Sequence, residues 1–110
     1  MSFASFGFRP QIAAGINRLG YVTPTPIQEK AIAPVLAGKD IMGLAETGTG
    51  KTAAFVLPIS DRLLDGPRGR IRCLVLAPTR ELAQQTHEVL MVLGKDTKLR
   101  SVTLYGGVGY

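Results

Sequence analysis

The sequence has no tryptophan and a single cysteine, Cys73. One thiol excludes an internal disulfide framework and any metal site built on several cysteines. Aromatic residues make up only 6% of the chain, so a core has to be assembled chiefly from aliphatic side chains. No apolar run approaches the roughly 20 residues that a membrane-spanning helix needs. The stretch 53–59, one of the longest, is short and interrupted by Pro58. Residues 1–6 carry no basic start, no long apolar stretch and no cleavage-like site, which argues against a signal peptide and for the cytoplasm.

What is present suits a folded chain. A hydrophobic content of 45% is ample for a packed core, and a net charge of +5 is too small to favour disorder. The 110 residues fit one domain, or part of one. The excess of 13 Lys+Arg over 8 Asp+Glu hints at a polyanionic partner, but much of it is local. Arg68, Arg70 and Arg72 cluster in residues 65–72, which read as a solvated connector rather than a nucleic-acid contact.

Helical and extended patterns alternate. Ile12, Ala13, Ile16 and Leu19 recur at helical spacing behind Pro10, a residue suited to the first helical position, and Gly20 closes the segment. A second helix begins at Thr25-Pro26-Ile27-Gln28, with Thr25 as N-cap and Gln28 in capping-box position. Ile27, Ala31 and Val35 share its face, and Pro34 is expected to kink or end it. Residues 40–44 suit a short buried strand. A Gly/Thr loop follows, then a helix from Lys51 to about Leu64 with Pro58 inside it. Residues 72–77 form a near-continuous apolar run, typical of a parallel strand covered on both faces, with Cys73 as a small core residue.

Thr79 then caps a helix striped by Leu82, Ala83, Thr86, Val89, Leu90 and Leu93. His87 falls on its surface or boundary, with no second metal ligand nearby in the pattern. Glu81 and Glu88 show no partner carboxylate arranged for acid–base work. Residues 101–105 make a third strand, running into Gly106-Gly107. Strands separated by helices of this length predict a parallel α/β sheet with right-handed crossovers. There is no internal repeat, low-complexity tract or sign of a second domain, and no residue pattern specifies an oligomeric state.

The loop Ala45-Glu46-Thr47-Gly48-Thr49-Gly50-Lys51-Thr52 links the first expected strand to a helix. Phosphate binding needs that arrangement. Glycines let backbone N–H groups approach an anion, and a helix start adds unpaired donors and the positive end of its dipole. The Lys51 ammonium can reach terminal phosphates, and the Thr52 hydroxyl can bind Mg²⁺. The strict pattern asks for Gly where this chain has Ala45. Gly/Thr-rich loops also join strands to helices without binding anything, but Gly-Lys-Thr in this context favours a nucleotide.

Three blocks occur together: Gly20-Tyr21-Val22-Thr23-Pro24-Thr25-Pro26-Ile27-Gln28, the Ala-x-Thr-Gly-x-Gly-Lys-Thr loop, and Pro78-Thr79-Arg80-Glu81-Leu82-Ala83-Gln84. In order and spacing they closely resemble the N-terminal half of the first RecA-like domain of DEAD-box RNA helicases, across essentially all 110 residues. The matching regions are a Q-motif region at 1–29, a P-loop at 45–52 and motif Ia at 78–84. The resemblance implies a RecA-like α/β P-loop NTPase fold with a parallel sheet, truncated. It also implies ATP and Mg²⁺ as ligands, and RNA held by its backbone without regard to sequence. By that resemblance Gln28 reads the adenine edge, Tyr21 stacks on the base and Phe3, 17 positions before Gly20, supports the pocket. Residues 45–52 hold the phosphates, with Lys51 the catalytic cation and Thr52 the Mg²⁺ ligand. Pro78, Thr79, Arg80, Gly106 and Gly107 contact RNA.

Each assignment has a plainer alternative in the residues themselves. Gln28 also serves as a helix cap, Tyr21 and Phe3 as packing aromatics, Thr79 as a cap, Arg80 as an ion-pair partner, and Gly106-Gly107 as a strand-ending turn. Two departures from the family pattern stand out. Glu46 replaces the usual Gln, adding negative charge near the phosphates, and the 110 residues contain no Asp-Glu-Ala-Asp block. A chain without that block is expected not to hydrolyse ATP by itself, and apolar residues such as Val75 and Val102 are expected to lie uncovered and favour self-association. Two rivals remain: a small-molecule P-loop kinase, which leaves Pro24–Gln28 unexplained, and a non-catalytic nucleotide- or RNA-binding module.

Overall fold

A computed structural model describes residues 2–44 and 50–104. Among these residues the regular elements are a 3₁₀ turn (Phe3–Phe6) and four α-helices: α1 (Pro10–Arg18), α2 (Pro26–Leu36), α3 (Lys51–Leu63) and α4 (Arg80–Thr97). Proline at the first helical position starts α1 and α2, where its missing N–H costs no intrahelical bond. Pro34 ends nothing at once: α2 continues to Leu36, and the Pro34 carbonyl accepts from Lys39 N–H at 3.0 Å. Pro58 is buried within α3, which runs through it without a break.

The core is aliphatic, as the scarcity of aromatics requires. Phe3, Ile12, Ile16, Ile32, Ala53, Val56, Leu57 and Leu93 pack together, bringing all four helices and the 3₁₀ turn into one cluster. Fully burying side chains such as Leu57 or Leu93 stabilises the fold by about 1.5–3 kcal/mol each. Helix α1 crosses α4 closely because Gly15 has no side chain there; a Cβ would overlap Leu93. Ile12 and Ile16 are buried as the spacing predicts, whereas Ala13 faces solvent. Arg9 N–H donates to Asp61 Oδ1 at 2.9 Å, fixing the start of α1 on the buried face of α3. An exposed Arg9–Asp65 ion pair reinforces the same joint.

Two expectations are corrected. Residues 39–44, 71–77 and 98–104 form no strand, so the parallel sheet expected from 40–44, 72–77 and 101–105 is not present among the described residues. A strand exists only where a neighbour completes its hydrogen-bonded ladder, and none of these segments pairs with another. Their apolar side chains accordingly face solvent: Leu76 is 86% exposed and Val102 80%, and Val75 is uncovered as well. Cys73, expected in the core, is exposed for the same reason. The basic connector is solvated, but its arginines are not idle. Arg68 Nη1 donates to Thr97 O at 3.2 Å and Arg72 Nη1 to Leu63 O at 2.8 Å. Each cation thus meets carbonyls at the C-terminal end of a helix, where the dipole favours positive charge. Among the described residues no helix is long and apolar enough to cross a membrane.

Candidate functional site

The N-terminus of α3 is the natural starting point, because its first N–H groups have no intrahelical partner. Gly50 caps it in the left-handed conformation (φ 85°, ψ 23°), which glycine adopts without steric cost. Its carbonyl accepts from Ala54 N–H at 3.1 Å, starting the helix. Lys51 follows at the first position with an exposed side chain, and Thr52 is half-buried at the second. The start of α3 therefore presents backbone donors, one ammonium and one hydroxyl at a positive dipole end. Ala45, Glu46, Thr47, Gly48 and Thr49 lie outside the described residues.

Gln28 ties this helix start to α2. It is 4% exposed, and both ends of its carboxamide are engaged. Thr25 N–H donates to Gln28 Oε1 at 2.9 Å, the glutamine half of a capping box. Gln28 Nε2 donates to Gly50 O at 3.1 Å, across 22 residues of sequence. The Thr25 hydroxyl faces the same backbone but is buried without a hydrogen-bond partner within proper geometry. A side chain on residue 50 would overlap Gln28 Nε2 and come within 3.0 Å of Thr25 Oγ1, a second demand for glycine there. The helix-cap reading of Gln28 is therefore realised, and it is only half of what the side chain does. A carboxamide has two N–H groups and two carbonyl lone pairs. These two bonds leave one of each.

Tyr21 lies half-buried, with its ring 6.1 Å from Phe3 and inclined by 26°. Burial pushes the Tyr21 phenol above its ordinary range. Phe3 belongs to the core cluster and is enclosed, with its ring against that of Tyr21. The packing roles weighed for both aromatics are thus visible.

The third block opens α4. Thr79 Oγ1 accepts from Leu82 N–H at 3.2 Å and caps the helix as predicted; Arg80, at the first helical position, and Pro78 are exposed. Arg80 shares a shallow surface with Glu81, Gln84, Gln85 and Glu88. The two carboxylates there oppose an incoming phosphate, so this end of α4 is less basic than Arg80 alone implies. Gly106 and Gly107 lie outside the described residues. A depression of about 510 Å³ sits at the far end of α3 between Arg9, Asp61, Arg62, Asp65 and Arg72. It is apart from the α3 start.

Periodicity and motif spacing did not reveal the Gln28–Gly50 bond, although Gln28 and Gly50 were each singled out. They also missed a bond of 2.6 Å between His87 Nδ1 and Ser101 Oγ.

Known proteins supply the family. The DEAD/DEAH box helicase family model matches residues 25–110. The ATP-dependent RNA helicase DBP10 of Candida albicans is 48% identical over 106 residues, covering 96% of this chain and 12% of the relative. The ATP-dependent RNA helicase CshA of Limosilactobacillus reuteri is 49% identical over 107 residues, covering 97% of this chain and 21% of the relative. The crystal structure of the RNA helicase Prp28 from Chaetomium thermophilum bound to ADP superposes with a TM-score of 0.88 at 34% identity, across 98% of this chain and 27% of that one. The chain thus spans between 12% and 27% of the length of these relatives. With 86 consecutive residues matched (25 to 110 inclusive), the chain belongs to the DEAD/DEAH box helicase family.

Proposed function

We propose that this chain is the ATP-binding portion of an ATP-dependent RNA helicase, contributing adenine recognition, phosphate binding and a first contact with the RNA backbone. The observation that carries the reading is the bond from Gln28 Nε2 to Gly50 O. It joins the block that would read the base to the helix start that would hold the phosphates, at the atom where the loop becomes a helix. The names of the relatives, and a match over 98% of this chain to part of a helicase solved with ADP, support the same ligand.

In this reading the free N–H and lone pair of Gln28 face the adenine edge, and Tyr21 stacks on the base. The backbone donors at the start of α3 and the Lys51 ammonium take the phosphate charge. Thr52 offers a hard hydroxyl oxygen of the kind Mg²⁺ prefers, and a bound Mg²⁺ would neutralise phosphate charge there. Thr79 and Arg80 grip RNA phosphates without reading bases, so binding is sequence-independent and weakened by salt. The segments 39–44, 71–77 and 98–104 then correspond to the parallel strands of a RecA-like sheet.

Replacing Lys51 tests the phosphate half. Lys51 is exposed and outside the core, so Lys51→Ala should leave the thermal melt nearly unchanged while weakening ATP binding at least tenfold, as expected when a cation leaves a phosphate. Fluorescence titration with a labelled ATP analogue measures it. Unchanged affinity in the variant would remove Lys51 from the site and the P-loop reading with it.

A further inference from the structure

We propose that the C-terminal end of α4 and the connector 66–72 together form a second contact for the RNA backbone, remote from the one assigned to Thr79 and Arg80. The inference goes beyond the proposed function and does not need the contact at Thr79 and Arg80 to hold.

The charge of the chain is concentrated there. Residues 66–72 and 95–100 carry Arg68, Arg70, Arg72, Lys95, Lys98 and Arg100, six of the 13 Lys+Arg, against one of the 8 Asp+Glu, Asp96. The rest of the chain has seven of each, so the net charge of +5 resides in these two short segments. The fold brings them together. Arg68 Nη1 donates to Thr97 O at 3.2 Å, which places the connector beside Lys98 and the last turn of α4, where Lys95 stands. Asp96 is already engaged by Arg18 of α1, through Nε to Oδ2 at 2.8 Å and Nη2 to Oδ1 at 3.3 Å. Asp65, just before the connector, is likewise held by Arg9. Arg68, Arg70, Lys95 and Lys98 are exposed, and none of them enters an ion pair among the described residues.

Capping a helix does not require so many cations. The C-terminal end of α4 presents roughly half a negative charge, and Arg68 already donates to one of its carbonyls. Arg72 is used in the same way on Leu63 O. Arg70, Lys95 and Lys98 exceed that demand. Like charges gathered within a Debye length, about 10 Å at 0.1 M salt, repel one another, and a polyanion converts that repulsion into attraction. The two segments contain no aromatic side chain on which a base could stack, so the partner they fit is a run of phosphates. The 18 residues of α4 put this patch roughly 25 Å from Arg80, too far for one phosphate to meet both. The sheet of the proposed function keeps the arrangement, because parallel strands over 71–77 and 98–104 begin at the same end, where Arg68, Arg70, Lys95 and Lys98 lie.

The test uses the purified chain and a long fluorescein-labelled oligouridylate, titrated over a series of salt concentrations. The triple variant Arg70→Gln, Lys95→Gln, Lys98→Asn removes three cations. Arg68 is spared because it holds the connector in place, and asparagine suits the left-handed backbone at Lys98 (φ 62°). The slope of log affinity against log salt should flatten by about two, since each contact with a single strand contributes about 0.7, and affinity at about 0.1 M salt should fall roughly tenfold to a hundredfold. The melting temperature should hold or rise as repulsion is relieved. Lys30→Gln removes an exposed cation of α2, outside both segments, and should leave affinity and slope nearly unchanged. An unchanged slope in the triple variant, an equal loss per charge from Lys30→Gln, or a lowered melt would each overturn the patch. So would lost binding to phosphatidylserine vesicles with RNA affinity intact, which would assign the patch to a membrane surface. Arg80→Ala separates this contact from the first. If Arg80→Ala alone weakens RNA binding, the patch is wrong and the first contact stands; if the triple variant alone does, the patch stands and the first contact falls. Both stand if both weaken binding, and their losses should then add across so long a distance. Both fall if neither matters.

Discussion

Replacing Gln28 tests strut and base reader at once. The side chain is 4% exposed and makes two bonds, from Thr25 N–H at 2.9 Å and to Gly50 O at 3.1 Å. Gln28→Ala removes both. Each net hydrogen bond contributes about 0.5–1.5 kcal/mol, and leaving the Thr25 N–H without its acceptor is the familiar loss of a cap, about 1 kcal/mol within the same account. A loss of roughly 1–3 kcal/mol follows, which for a domain of this size lowers the melting temperature by about 4–24 °C. Gln28→Glu separates the two bonds. The carboxylate still accepts from Thr25 N–H but turns an oxygen toward the Gly50 carbonyl, so it should destabilise through the loop contact alone. If the remaining N–H and lone pair read adenine in a two-point contact, ATP should be preferred over GTP by about 1–3 kcal/mol, and that preference should vanish in Gln28→Ala. Thermal melts give the first quantity, and competition of ATP and GTP against a labelled analogue gives the second. An unchanged melt would refute the two bonds. A large loss of stability with the ATP preference intact would reduce Gln28 to a strut between α2 and α3.

Two further outcomes follow from the packing and the charges. Gly94→Ala would gain about 1 kcal/mol of helix propensity but place a Cβ 2.6 Å from the Leu99 carbonyl, which is held by Leu99 N–H donating to Thr97 Oγ1 at 3.2 Å. Overpacking against backbone should win, for a net loss of roughly 1–2 kcal/mol in a urea titration, and a variant as stable as the parent would show that the turn gives way freely. The Arg9 guanidinium holds the Asp65 carboxyl below its ordinary value of 3.8, so the stabilisation from Asp65 is present above that pH and lost as pH falls through the lower folded-state value. The melting difference between the parent and Asp65→Asn should therefore be small at neutral pH, shrink with added salt and close under acid; a difference that ignores pH would remove the ion pair from the account.

Local signals were enough for the helices. Proline at first positions, the Thr25 and Thr79 caps and the apolar stripes around Ile16, Ala31 and Leu93 each depend on residues within a turn or two of one another, and the structure puts helix starts at Pro10, Pro26 and Arg80 accordingly. The three blocks were also readable, because motif spacing is a property of the chain alone, and it pointed to the family that the comparisons establish. Strands at 40–44, 72–77 and 101–105 were a different kind of expectation. Apolar runs show what could be buried, but a ladder requires a neighbour, and among the described residues these segments have none. Cys73 follows its segment into solvent, which its apolar neighbours gave no means of foreseeing. Tertiary structure alone decided the polar bonds between distant parts: Gln28 to Gly50 across 22 residues, Arg68 to Thr97 across 29, and His87 to Ser101 across 14. Such bonds depend on a few ångströms of separation between elements, a distance set by how Gly15 lets α1 approach α4 and how α2 lies on α3, and no periodicity in the chain encodes it.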